Sequence, residues 1–275
     1  KIKFADIEKE TMNISIDSVK KLITKRTKAI VCVHYGGLPC DMDSLQKICK
    51  QKKITLIEDA AHALGAKYKK KPIGSISDFT TFSFQAIKHF TTGDGGMLTI
   101  KNKKLEEKAK RIRWFGIDRK KKQKGIWKND VYEVGYKYQM TDISATMGCD
   151  ALNDFSKIIN HRKKIYYTYL QELSSNKKIQ CIHDYNKNKE HGAWLFTISL
   201  NNKDFVQKKL REHFIETNQV HFRNDRYSIF KKFVKGKKFP NMDYLENRYL
   251  VLPLHHKVSV QNVKYICKVI NKFAK

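Results

Sequence analysis

No stretch of this chain is apolar enough to span a membrane. No leader of a charged start and an apolar run opens it, because Lys1-Ile2-Lys3 leads straight into Phe4-Ala5-Asp6. Lys1 stands where an initiator Met would, which implies an internal point of a longer protein. The six cysteines (Cys32, Cys40, Cys49, Cys149, Cys181 and Cys267) include no Cys-x-x-Cys pair. That removes the usual metal spacing and a disulfide framework, and scattered thiols without a secretory signal fit a reducing cytoplasm. No internal repeat is visible.

Arginine is scarce as well. Nine arginines stand against 47 lysines, and 27 acidic residues leave a net charge of +29. A strong basic excess can mean a nucleic acid or anionic surface as partner. A nucleic-acid reader, however, concentrates arginine and interleaves aromatics. Here the excess is almost all lysine and is spread along the chain, beside abundant Ile and Asn. Codon bias of an AT-rich genome and a solvated surface account for it, with attraction of anionic substrates as a secondary role.

What is present is a regular alternation. With 275 residues the chain is long enough for one large domain or two smaller ones. Ala29 to His34 reads as a buried strand, and Asp43 to Lys52 as a helix with Asp41 or Asp43 as its N-cap. Thr55 to Ile57, Asp78 to Phe84 and Met97 to Ile100 read as strands, followed by a helix from about Lys103 to Trp114. The lysine-rich run from Arg119 to Lys128 reads as a surface loop. Thr141 to about Leu173 is helical, Ala193 to Leu200 strand-like and Asp204 to His213 helical. Val251 to Leu254 precedes a last amphipathic helix, Val260 to Phe273. Strands alternating with helices predict an α/β layer with a mostly parallel sheet over 1–150. A smaller α+β domain is expected over 151–275.

In such sheets ligands bind beyond the carboxyl ends of the strands. Asp59 lies at one such end, and Lys88 follows another in the run Phe82-Ser83-Phe84-Gln85-Ala86-Ile87-Lys88 before a glycine-rich turn. A lysine nucleophile and an acid at the ends of two buried strands suggest a pyridoxal phosphate (PLP) site. PLP needs a lysine to attach to and an acid to keep its pyridine nitrogen protonated. Taken alone, Lys88 is also one of 47 lysines on a loop, Asp59 also a helix cap, and His62 also a core histidine.

Several runs resemble the DegT/DnrJ/EryC1/StrS aminotransferases. They are His34 to Asp43, Ile57 to Ala66, Phe82 to Gly96, Trp114 to Arg119, Gly135 to Asp142, Val220 to Asp225 and Leu252 to His255. The resemblance spans essentially the whole chain. It implies a fold-type I PLP enzyme that moves an amino group from glutamate or glutamine to a nucleotide-linked 3- or 4-keto sugar, for amino-sugar and polysaccharide biosynthesis, in a homodimer. It implies that Lys88 carries the cofactor and shuttles the proton. Asp59 would pair with the pyridinium nitrogen, and His62 would lie beside the ring, on the same face as Asp59 if a helix begins there. Ser83 and Lys137 would meet phosphate. His221, Arg223 and Asn224 would lie by the sugar-nucleotide pocket, with Arg223 suited to a diphosphate.

Gly93, Gly95 and Gly96 permit close backbone approach, and Asp94 reads as structural. His34 and Tyr35 end a strand without an assigned role. Two departures stand out. The family's N-terminal part of the large domain is missing, and Lys137 replaces an Asn frequent in the family. A catalytically incomplete or regulatory remnant of the fold, and a basic nucleic-acid-binding protein, are the alternatives.

Overall fold

The computed structural model describes residues 1–126, 128 and 130–275. Nine helices run in chain order among the described residues: α1 (Ile16–Leu22), α2 (Met42–Lys52), α3 (Glu106–Arg113), α4 (Arg119–Gln123), α5 (Asp142–Leu173), α6 (Lys203–Glu212), α7 (Lys231–Val234), α8 (Pro240–Leu245) and α9 (Val260–Phe273). The strands are β1 (Ala29–Val33), β2 (Thr55–Asp59), β3 (Lys67–Tyr68), β4 (Lys71–Pro72), β5 (Phe79–Ser83), β6 (Gly96–Ile100), β7 (Gln180–Cys181), β8 (Lys189–Glu190), β9 (Phe196–Ser199) and β10 (Tyr249–Leu252).

The first sheet has the order β1-β2-β5-β6. β1, β2 and β5 are parallel and β6 is antiparallel to β5, so the mostly parallel sheet is observed. Strand alternation sends Ile30 and Cys32 of β1, and Leu56 and Glu58 of β2, inward. α2 lays Met42, Leu45, Ile48 and Cys49 on that face. It starts where expected: the Asp41 carboxylate accepts from the Ser44 N–H at 3.2 Å.

The antiparallel turn-back has a consequence for position. β5 and β6 are neighbours, with Ser83 paired to Gly96, so residues 84–95 must fold over the carboxyl edge of the sheet. Lys88 sits in that loop.

The second half is built on α5, whose 32 residues span about 48 Å. Its C-terminal half buries Ile165, Tyr166, Tyr169 and Leu173 against the antiparallel sheet β10-β9-β7 and against α6 and α9. A capping box between Ser259 and Asn262 opens α9.

The two halves are stitched together. β3 pairs with both β4 and β8, joining residues 67–68 to 189–190. The Asp6 carboxylate accepts from the N–H groups of Asn241 and Met242 at 2.9 and 3.1 Å. It thereby caps α8, whose own N-cap residue, Phe239, has no acceptor to offer. Met12 packs with Ile182, Leu245 and Tyr249 in a small shared core.

Two sequence expectations change. Residues 119–123 form α4 instead of continuing a loop, because Asp118 caps the N–H groups of Lys120 and Lys121. Residue 127 of that predicted loop lies outside the described residues. No helix begins after Asp59; residues 61–65 form turns, with Gly65 at φ 79°.

Candidate active site

Three strand ends meet at the candidate site. Val33 of β1 lies opposite Asp59 of β2, which lies opposite Thr81 of β5. Glu58 is turned into the wall and Asp59 to the other face. The Asp59 Oδ1 accepts from the Ala61 N–H at 3.1 Å, which fixes the carboxylate at the turn. Ser83 ends β5, its hydroxyl accepting from the Gln85 N–H at 3.4 Å.

Lys88 leaves the loop with its main-chain N–H on the Gln85 carbonyl, 2.9 Å away. Its ammonium lies over the Trp194 ring, 4.1 Å from the centroid. Burial pushes the amine below its ordinary pKa, and the Asp59 carboxylate pulls in the opposite direction.

His62 is stacked on the same indole, centroids 3.6 Å apart and planes 20° apart. His221 is parallel to it at 5.5 Å. Burial and the nearby Lys88 push the His62 imidazole down to about 2, so it is neutral. Its Nδ1 is buried and has no hydrogen-bond partner among the described residues.

The sequence-predicted residues thus separate into groups. Lys88, Asp59, His62 and His221 share one electrostatic neighbourhood, and Ser83 ends the strand that leads to Lys88. Lys137 does not join them. It bridges to Trp114 and rests its ammonium on that ring at 4.3 Å. Asn224 is exposed at the start of a short 3-10 turn.

Arg223 departs from its expected place. Its guanidinium is buried and held by Asp225 through two bonds of 2.9 Å, and by Asp243 and Glu246 at 2.7 Å each. Four of its five N–H donors are used inside the protein, and three carboxylates surround the charge a diphosphate would need.

Trp194 was not singled out from the sequence, where it read only as the start of a strand. Its main-chain N–H donates to the Gly36 carbonyl at 3.0 Å. Its carbonyl accepts from buried Arg162 at 2.9 Å. Two residues before it, the Gly192 carbonyl accepts from His89 Nε2 at 2.6 Å.

Comparison with known proteins places this geometry. The model of the DegT/DnrJ/EryC1/StrS aminotransferase family matches residues 1–271. An uncharacterized protein of Methanocaldococcus jannaschii is 37% identical over 98% of this chain and 72% of its own length. The GDP-perosamine synthase of Escherichia coli O157:H7 is 32% identical over 98% of this chain and 72% of its own. A sugar aminotransferase of Streptococcus pneumoniae, solved in its PLP form, superposes with a TM-score of 0.87 at 26% identity, covering 98% of this chain and 74% of that one.

The chain belongs to the DegT/DnrJ/EryC1/StrS aminotransferase family, and its cofactor is PLP. The residues present fit that group. An amine and a carboxylate influence one another where strand ends converge, a hydroxyl closes the next strand, and His62 Nδ1 is a buried polar atom without a hydrogen-bond partner among the described residues.

Proposed function

We propose that this chain is a PLP-dependent aminotransferase that carries an amino group from glutamate or glutamine to a nucleotide-linked keto sugar. The single observation behind it is that half-buried Lys88 lies within the electrostatic reach of Asp59 at the carboxyl edge of the sheet, its pKa lowered by burial.

PLP supplies the electron withdrawal that stabilises negative charge on the carbon bearing the transferred nitrogen. The protein supplies the rest. Lys88 holds the cofactor and, once free, moves the proton at the reacting carbon; its lowered pKa favours the neutral amine this requires. Asp59 keeps the ring nitrogen protonated. Neutral His62 lines the ring side, and Ser83 donates its hydroxyl to the phosphate.

His221 and Asn224 are assigned to the sugar side. Arg223 is assigned to shaping their segment, because its donors are committed to carboxylates. Lys137 is assigned to the cofactor phosphate of a second copy. Exposed apolar residues on the same stretch (Val134, Tyr138, Ile143, Met147, Leu152) support a homodimer formed there. Six unpaired thiols suit the cytoplasm. The E. coli relative, named for GDP-perosamine synthesis, supports the substrate class.

The test is direct. Purified protein mixed with PLP should gain a visible absorption band that Lys88→Ala lacks. Glutamate or glutamine should bleach it, and a nucleotide-linked keto sugar should restore it with release of an amino sugar. A band that persists in Lys88→Ala would refute the assignment.

A further inference from the structure

Trp194 belongs to the second half of the chain, yet its indole is the floor under the reactive lysine. The Nε1–H donates to the Ile87 carbonyl at 3.3 Å, fixing the main chain one residue before Lys88. The ring face carries the Lys88 ammonium at 4.1 Å. The same ring is stacked with His62. Gly36 and Arg162 hold the Trp194 backbone from two other segments, and the residue is 5% exposed. The indole therefore has no freedom to follow the lysine; the lysine must come to it.

We propose that Trp194 is a positioning residue for Lys88, its ring face being the resting place of the amine whenever that amine is not joined to the cofactor. This rests on the aminotransferase reading above. A transaminating lysine is released and retaken in every turnover. A free lysine side chain samples many rotamers, and that freedom has to be lost again before attack. A carboxylate rest would fix it, but would also stabilise its proton and delay the return. An aromatic face also favours the cation, but more weakly than a carboxylate does, so the proton is given up more readily. Asp59 cannot serve as the rest, since the cofactor ring occupies it. Tryptophan gives the strongest such face, and alone among the apolar aromatics it adds the N–H that reaches Ile87.

The inference is tested on the full protein with Trp194→Leu and Trp194→Phe, using glutamate to bleach the PLP band and 2-oxoglutarate to restore it. Glutamate leaves its amino group on the enzyme and departs as 2-oxoglutarate, and the second reagent reverses this. Trp194→Leu should destabilise only the form in which the amine is free, so loss of the band should slow relative to its return by about tenfold, the scale of a desolvated cation–π contact. Trp194→Phe should recover most of the difference. Equal slowing of both directions would mean a merely structural role and overturns the proposal.

A second readout needs no cofactor. With Trp114 and Trp127 replaced by Phe, Trp194 is the only indole left. Lys88→Met should then change its fluorescence, and unchanged emission would place the ammonium elsewhere. A wild-type protein with no visible band sinks the aminotransferase reading, and this inference with it. A band that glutamate leaves untouched sinks the donor assignment alone, and the fluorescence then decides Trp194.

Discussion

The His34 imidazole and the Glu58 carboxylate meet at 2.8 Å with no solvent exposure on either side chain. The Cys40 N–H donates to His34 Nδ1 at 3.1 Å, so that nitrogen carries no proton and Nε2–H donates to Glu58. The other Glu58 oxygen accepts from the Ser77 N–H and the Thr80 hydroxyl. Burial would raise the Glu58 pKa; its three donors outweigh that and hold it low. One carboxylate thus ties the end of β1, the Cys40 turn and the approach to β5 behind Asp59.

Replacing Glu58 by Ala should therefore cost about 3 kcal/mol or more, since it strands three buried donors and leaves a cavity. Glu58→Gln keeps the volume and should cost less. Urea unfolding measures both. A loss below about 1 kcal/mol for the Ala variant would contradict the network.

Acid should destabilise this protein earlier than its carboxylates alone would dictate. Burial pushes His62 down to about 2, His89 down to about 3 and His191 well below its ordinary 6.5. The unfolded chain binds these protons below about pH 6.5 and the folded chain does not. Their contribution is fully present above that pH and is lost as pH falls toward 3. Each protonated histidine adds a slope of about 1.4 kcal/mol per pH unit. Unfolding at pH 7, 6 and 5 should show stability falling faster with each step. A flat profile across that range would show the three histidines to be solvated.

Asp59 raises the Lys88 pKa while burial lowers it. Asp59→Asn removes only the raising influence, so the Lys88 midpoint should move further down. The pH dependence of amine labelling at Lys88, followed by mass spectrometry on cofactor-free protein, reports it. A midpoint that rises would mean the carboxylate does not act on the amine. The same variant should bind PLP more weakly.

Arg223→Ala leaves Asp225, Asp243 and Glu246 facing one another without their cation. A stability loss of about 2–3 kcal/mol is expected, below the full buried-pair value because two of the carboxylates are partly solvated. The KM for the nucleotide sugar should change little in protein that remains folded. A large KM increase with unchanged stability would return Arg223 to the diphosphate.

Much of the first sheet was legible because its strands are short buried runs between helices of clear period. α4 was not, since lysines fill it and only the cap at Asp118 distinguishes it from a loop. β3, β4 and β8 are two residues each, too short for any alternation to register. Lys88 and Asp59 could be read because each sits next to its own strand end. Trp194 could not, since its bond to Ile87 crosses 107 positions. Nor could the state of Arg223, which depends on carboxylates 20 and 23 residues further on.

The cap that Asp6 places on α8 joins groups 235 positions apart. On a growing chain it must wait until nearly the whole sequence has emerged. At typical rates of synthesis that delay is on the order of ten to fifty seconds. Through it Ile7 and Met12 lack the apolar partners that later cover them. The segment around Asp6 thus waits for residues made long after it, and a chaperone acting during translation would meet it bare.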